Sequence, residues 1–289
     1  MKKRLFLLFL CLLCIVNAGR LQAQNQPEFY KVITVQNETF VGELISEDDK
    51  SITLQTESLS RVTIERVNIE SIEKISADRI KNGGYWFENP QSTRYFFSPN
   101  AISLRKGKGY YQNTWVLFNN VNYGISDNLS IGGGLVPLFL FGTGETPVWL
   151  LPKVSIPVVA EKLYLGGGAM IGGIVGADTE ALGILYGVGT FGNRDRNLSV
   201  SLGYGYAGSD ISNTPVINIS GLIRTGRKFY LLTENYFVPG VDESGIISAG
   251  IRWAPESFAL DIGLFRPLVD AGGLIGIPWL GVTIPFGSE

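Results

Sequence analysis

Two carboxylates and two hydroxyls are the residues of this chain best placed to do chemistry. Glu234 and Asp261 fall on the small, polar face of apolar stretches, as do Ser199 and Ser201. Paired acids can serve as general acid and base. Glu234 and Asp261, however, lie too far apart in sequence for their spacing to pair them, and the plainer reading of each is a solvated or paired polar group. The serines have nothing to activate them. The 289 residues include no histidine, which removes the usual base of serine hydrolases and the commonest transition-metal ligand. Both cysteines, Cys11 and Cys14, lie in an N-terminal segment that the mature chain is expected to lose, so no thiol remains. Two glycine runs, at 132–134 and 166–168, would cradle a phosphate only at the start of a helix, and nothing helical follows either. The chain is read as a non-enzyme, with no catalytic residue, metal site or cofactor.

Strands must position these residues. Between Asn197 and Ala207, Leu198, Val200, Leu202, Tyr204 and Tyr206 are large and apolar, and the residues between them, Ser199, Ser201, Gly203 and Gly205, are small. That period of two puts the sets on opposite faces of a β-strand. A soluble sandwich would bury the apolar face and cover the other with charge, but here the second face is nearly bare. Such a strand suits the wall of a transmembrane barrel, with the large set toward lipid and the small set toward the lumen. A matching start, two polar residues and then apolar, any, apolar, recurs at Asp127, Glu161, Arg196, Arg227 and Glu256, at spacings of 34, 35, 31 and 29 residues. Each interval holds two strands and two connections, so the unit is a hairpin.

The first residues are not part of that fold. Met1 to Arg4 are basic, Leu5 to Val16 are apolar, and small residues follow at Ala18 and Ala23. This is the pattern of a secretory signal peptide, residues 1–23, with cleavage after Ala18 or, as favoured here, Ala23. The apolar run is short for a membrane helix, and no later window is long enough, so a membrane location would have to come from strands. Removing Lys2, Lys3, Arg4 and Arg20 leaves 20 basic residues against 26 acidic ones. No basic field exists to attract nucleic acid.

Residues 24–80 read as a small soluble module. Five short strands, at 29–35, 39–46, 51–56, 61–66 and 68–75, alternate apolar and charged residues and are separated by polar turns. Thr39 to Leu54, with Gly42 and Asp48, resembles the first motif of the Sm-like family, and the spacing of five strands suggests an SH3-like or Sm-like barrel. Where that family has an Arg-Gly pair that helps hold RNA, this chain has Arg66-Val67, and residues 24–80 carry 11 acidic against 6 basic side chains. The resemblance therefore implies a fold without RNA binding, in a module expected to be periplasmic.

Residues 81–92 form a linker with unusual aromatic content. Tyr85, Trp86, Phe87, Tyr95, Phe96 and Phe97 fit either the membrane boundary or packing between module and barrel. Residues 93–286 are then assigned to an antiparallel transmembrane barrel of about twelve strands, ten being the alternative, with 93–104 as the first strand and 109–125 as the second. Short connections alternate with longer ones, as periplasmic turns alternate with extracellular loops. The last strand, Gly276 to Phe286, ends its alternation on an aromatic and resembles the signal by which outer-membrane barrels are recognised for assembly. The chain thus resembles an outer-membrane β-barrel protein of the Bacteroidota type. That resemblance implies outer-membrane lipid and the barrel assembly machinery as partners. Two functions stay open: a narrow passage or pocket for a small neutral or apolar solute, suggested by the lumen face, or a structural barrel that anchors the module.

Overall fold

The computed structural model describes residues 27–81, 84–141, 144–240, 245–269 and 275–287. The signal segment lies outside them. The chain divides into two compact units, one ending at Trp86 and the other beginning at Phe87.

The first unit is a five-stranded antiparallel sheet made of β1 (Phe29–Thr34), β2 (Thr39–Glu47), β3 (Ser51–Thr56), β4 (Val62–Glu65) and β5 (Ile69–Ile75). Its spatial order is β4-β3-β2-β1-β5. Val32, Ile52, Leu54 and Ile64 form the buried core, flanked by Tyr30, Phe40, Leu44, Val62 and Ile69. A bulge between Leu44 and Ser46 lets β2 change register against β3. The turn after β2 is closed by Asp48, whose carboxylate accepts the N–H groups of Lys50 (2.8 Å) and Ser51 (2.7 Å). Those bonds favour the charged form and hold the Asp48 carboxyl below its ordinary range. Arg66 is engaged within the unit, by the Asp48 carbonyl at 2.9 Å and the Glu47 carboxylate. A two-residue pair, β6 (Ile80–Lys81) with β7 (Gly84–Tyr85), follows.

The second unit is a closed antiparallel barrel. Its strands are β8 (Gly109–Thr114), β9 (Phe118–Gly124), β10 (Leu129–Leu135), β11 (Thr146–Leu150), β12 (Lys153–Val159), β13 (Leu163–Val175), β14 (Leu182–Gly192), β15 (Arg196–Ala207), β16 (Asp210–Ile211), β17 (Val216–Arg224), β18 (Phe229–Phe237), β19 (Gly245–Trp253), β20 (Ala259–Pro267) and β21 (Ile277–Phe286). The ring closes between β21 and β8, from Gly281↔Thr114 to Phe286↔Gly109. β11 and β12 both bridge β10 and β13, and together they make one strand interrupted near Pro152, which has no N–H to give a ladder. β16 is a short addition to β15. Counted this way, twelve strands surround the lumen.

The expected number is reached through two departures from the expected strands. Residues 93–104 are not a strand, and the ring starts at Gly109. Residues 109–125 are not one strand but the hairpin β8–β9, which turns through Trp115 (φ 51°) and Val116 (φ 65°). Bulky residues rarely take positive φ. Trp115 is held there by its indole N–H, which donates to the Pro278 carbonyl at 2.7 Å, and by ring contacts with Phe118 and Trp279.

Alternation then sets the two faces of the wall. In β15, Leu198, Val200, Leu202 and Tyr204 are exposed on the outside, while Asn197, Ser199, Ser201 and Gly203 are buried inside. Leu165, Ile219, Leu231, Ile251, Ile262 and Leu280 extend the outer apolar surface around the barrel. Exposed aromatics sit near both rims. Phe191, Phe229, Trp253 and Phe286 lie toward the short-turn end, and Trp115, Phe118, Phe139 and Tyr204 toward the long-loop end.

Candidate functional site

The lumen of the barrel is occupied by its own chain. Residues 87–104, which precede β8, enter at the short-turn end and fold back on themselves. The Tyr95 N–H donates to the Ser98 carbonyl (3.0 Å), the Asn100 N–H to the Thr93 carbonyl (3.1 Å), and Arg94 bridges Pro99. Gln91, Tyr95, Phe96 and Ala101 are fully buried. Tyr95 and Phe96 therefore lie inside the barrel rather than at a membrane boundary.

Inward groups from strands around the ring hold this plug. Arg252 on β19 donates to the carbonyls of Gln91 and Tyr95, each at 2.7 Å. The same guanidinium makes a bidentate pair with Asp261 on β20, at 2.7 and 2.9 Å. Arg252 and Asp261 are direct cross-strand partners in the register, and both are fully buried. Lys153 on β12 donates to the carbonyls of Asn100 (2.9 Å) and Ile102 (2.7 Å). Glu234 on β18 accepts the N–H groups of Phe97 (3.0 Å) and Ser98 (2.9 Å), and its other oxygen accepts the Tyr236 hydroxyl at 2.6 Å. At the short-turn rim, Arg194 reaches Ser92 and the Ser103 carbonyl, and Arg224 the Phe87 carbonyl.

Small lumen residues are matched to the plug. The Tyr95 hydroxyl bonds Asn197 (2.6 Å) and Ser199 (2.7 Å), and Ser199 is in turn bonded to Thr190 at 2.6 Å. Thr190 also accepts the Ala101 N–H at 2.7 Å. The Phe96 ring, packed on Phe265 and Trp279, fits against Gly250 and Gly263, where an added Cβ would come within 2.6 Å of its Cζ. Close packing leaves no room for such an atom. Gly250 of β19 and Gly263 of β20 thus make room for the plug.

Of the four residues singled out in the sequence, Ser199, Glu234 and Asp261 belong to this plug-holding set, and Ser201 lines the space that is left. Glu234 and Asp261 are not brought together, since each serves its own partner. Reading the sequence missed Arg94, Lys153 and Arg252. The signal for Arg252 was its place between outward Ile251 and Trp253, opposite Asp261 across the turn at 254–258. Between the plug and the wall remains a pocket of about 100 Å³. The plug contributes Arg94, Phe97 and Ser98, and the wall Asn122, Met170, Ile184, Ser201 and Val216. Among the described residues, no cluster of His, Cys, Asp or Glu stands where it could hold a metal.

No protein-family model matches the chain, and no curated protein sequence matches it. Among solved structures it is similar to the KdgM porin, at 4% identity over 63% of this chain and 99% of that one, with a TM-score of 0.46. The NanC porin is matched at 10% identity over 63% of this chain and 98% of that chain, with a TM-score of 0.39. OmpT, an outer-membrane protein of Vibrio cholerae, is matched at 11% identity over 90% of this chain and 94% of that chain, with a TM-score of 0.33.

Proposed function

We propose that the second unit is an outer-membrane barrel whose plug leaves a pocket for a small, largely apolar solute, entered from the long-loop end. The observation that carries the membrane assignment is the closed ring with an apolar outer belt between two sets of exposed aromatics, the arrangement hydrocarbon and its interfaces require. The plug carries the choice of pocket over passage. It is tied to strands across the lumen, at β12, β15 and β19, and most of its side chains are buried there. Lipid against the belt and the assembly machinery at β21 are the partners this reading implies. The first unit is read as a periplasmic module of Sm-like type.

A filled lumen also favours the second reading, a barrel that anchors the module and transports nothing. The two differ in whether the pocket beside the plug takes a solute.

Placement is tested first. The mature protein is expected to fractionate with outer membrane and to migrate differently on gels before and after boiling, because a closed hydrogen-bonded barrel resists detergent until heated. Recovery as a soluble periplasmic protein ends the membrane reading. An epitope inserted at 209–214 should be accessible on intact cells, and one at 193–195 should not; the reverse result inverts the orientation.

A further inference from the structure

We propose that the pocket beside the plug binds a small monocarboxylate, its carboxylate on Arg94 and its apolar body against Met170, Ile184 and Val216. This deepens the pocket reading and rests on it.

Arg94 is the starting point. It lines the pocket and is 5% exposed, yet its guanidinium makes no hydrogen bond or ion pair among the described residues. Its Nε is sealed from solvent with no partner in the protein. Its side-chain contact is with the Phe97 ring, whose centroid lies 5.9 Å away. A buried cation is costly unless paired and hydrogen-bonded, so an Arg kept in this position calls for an acceptor.

A second group in the pocket calls for the same thing. The side-chain amide of Asn122 is also buried, and its Nδ2 has no partner. Both unsatisfied groups are donors, and both residues line the same pocket. Glu234 does not supply the missing acceptor: its bonds go to Phe97, Ser98 and Tyr236, and it makes no ion pair with Arg94.

Charge sets the kind of group that is missing. Inside the wall, Arg252 is paired with Asp261, Lys153 lies on the Asn100 and Ile102 carbonyls, and Glu234 is bonded to Phe97, Ser98 and Tyr236. Arg94 is left without a carboxylate, and a single one matches the planar fork of an arginine. The rest of the wall is largely apolar. At about 100 Å³ the pocket is smaller than the ~150 Å³ cavity that takes up benzene, so the body it accepts is a short one.

The test uses the full mature chain in zwitterionic detergent, with propanoate and its neutral analogue propanol as probes in calorimetric titrations. Propanoate should bind about tenfold or more tighter than propanol, and Arg94→Gln should weaken propanoate by about tenfold or more, as expected for one charge-assisted pair. Propanol affinity should change by less than about twofold, because its contacts are apolar. Gel migration of unheated samples establishes that the variant is folded. If Arg94→Gln does not assemble, Asn122→Leu removes the second donor and should still weaken propanoate severalfold. Propanol bound as tightly as propanoate, or propanoate affinity unmoved by these variants, overturns the carboxylate assignment and leaves the pocket standing. Failure of both probes to bind the wild-type chain removes the pocket as well.

Discussion

Replacing residues 91–102 by a glycine-serine linker of equal length is expected to turn a barrel without steady conductance into one that conducts continuously in a planar bilayer. Eight-stranded barrels are filled by their own side chains, and sixteen-stranded ones hold an aqueous channel. A twelve-stranded wall falls between, and here the interior is filled by backbone and side chains of the plug rather than by large wall residues. Ser199, Ser220, Gly250 and Gly263 are too small to meet across the lumen once Tyr95 and Phe96 are gone. The linker keeps the chain connected to β8 and has backbone groups of the same kind, but it lacks Tyr95, Phe96 and Ile102, whose burial against the wall holds those groups at Arg252, Lys153, Glu234 and Thr190. Those polar groups would then face water, which solvates them, so the barrel should still assemble and show heat-dependent migration. A wild-type barrel that already conducts at the level of the variant would show that the plug does not seal the lumen.

Much of the wall was legible in the sequence, because alternation in a strand is a direct record of which side each residue faces. β13 to β15 and β17 to β20 lie within a few residues of their expected positions, and the outward and inward sets of β15 are as the pattern requires. Two stretches misled for physical reasons. Tyr95, Phe96 and Ile102 carry the apolar spacing of a strand, since a plug inside a barrel must also bury large residues; sequence periodicity does not distinguish burial against lipid from burial against a lumen. The β8–β9 turn contains none of the glycine, asparagine or proline that usually marks a hairpin, and its positive φ values at Trp115 and Val116 depend on a contact with Pro278 far along the chain.

The lumen itself was the least legible part. A face of serine, glycine and alanine reads as open space when the occupant is not in view. Here several small residues mark where the plug comes close: Ser199 under Tyr95, Gly250 and Gly263 around Phe96, Gly166 beside the Ala101 backbone. The charged residues were few in any one strand, so they did not read as a set. The barrel gathers Lys153, Glu234, Arg252 and Asp261 from four separate strands, and only closure of the ring makes them neighbours of one plug.

Breaking the Arg252–Asp261 pair is expected to cost about 3–5 kcal/mol for either single alanine substitution, because each leaves an opposite charge buried without its partner. Urea unfolding in lipid vesicles measures this. The two variants should nonetheless differ in conductance. Asp261→Ala leaves the Arg252 guanidinium on the carbonyls of Gln91 and Tyr95, so the plug keeps its anchor and the barrel stays sealed. Arg252→Ala removes that anchor together with the pair, so loss of stability should come with channel openings. The double alanine variant should cost less than the sum of the singles by about 0.5–3 kcal/mol, since the second substitution removes a charge the first had stranded. An Arg252→Ala cost below about 1 kcal/mol, the range of a solvated surface pair, would mean that water already reaches this pair and that the plug is not seated on it.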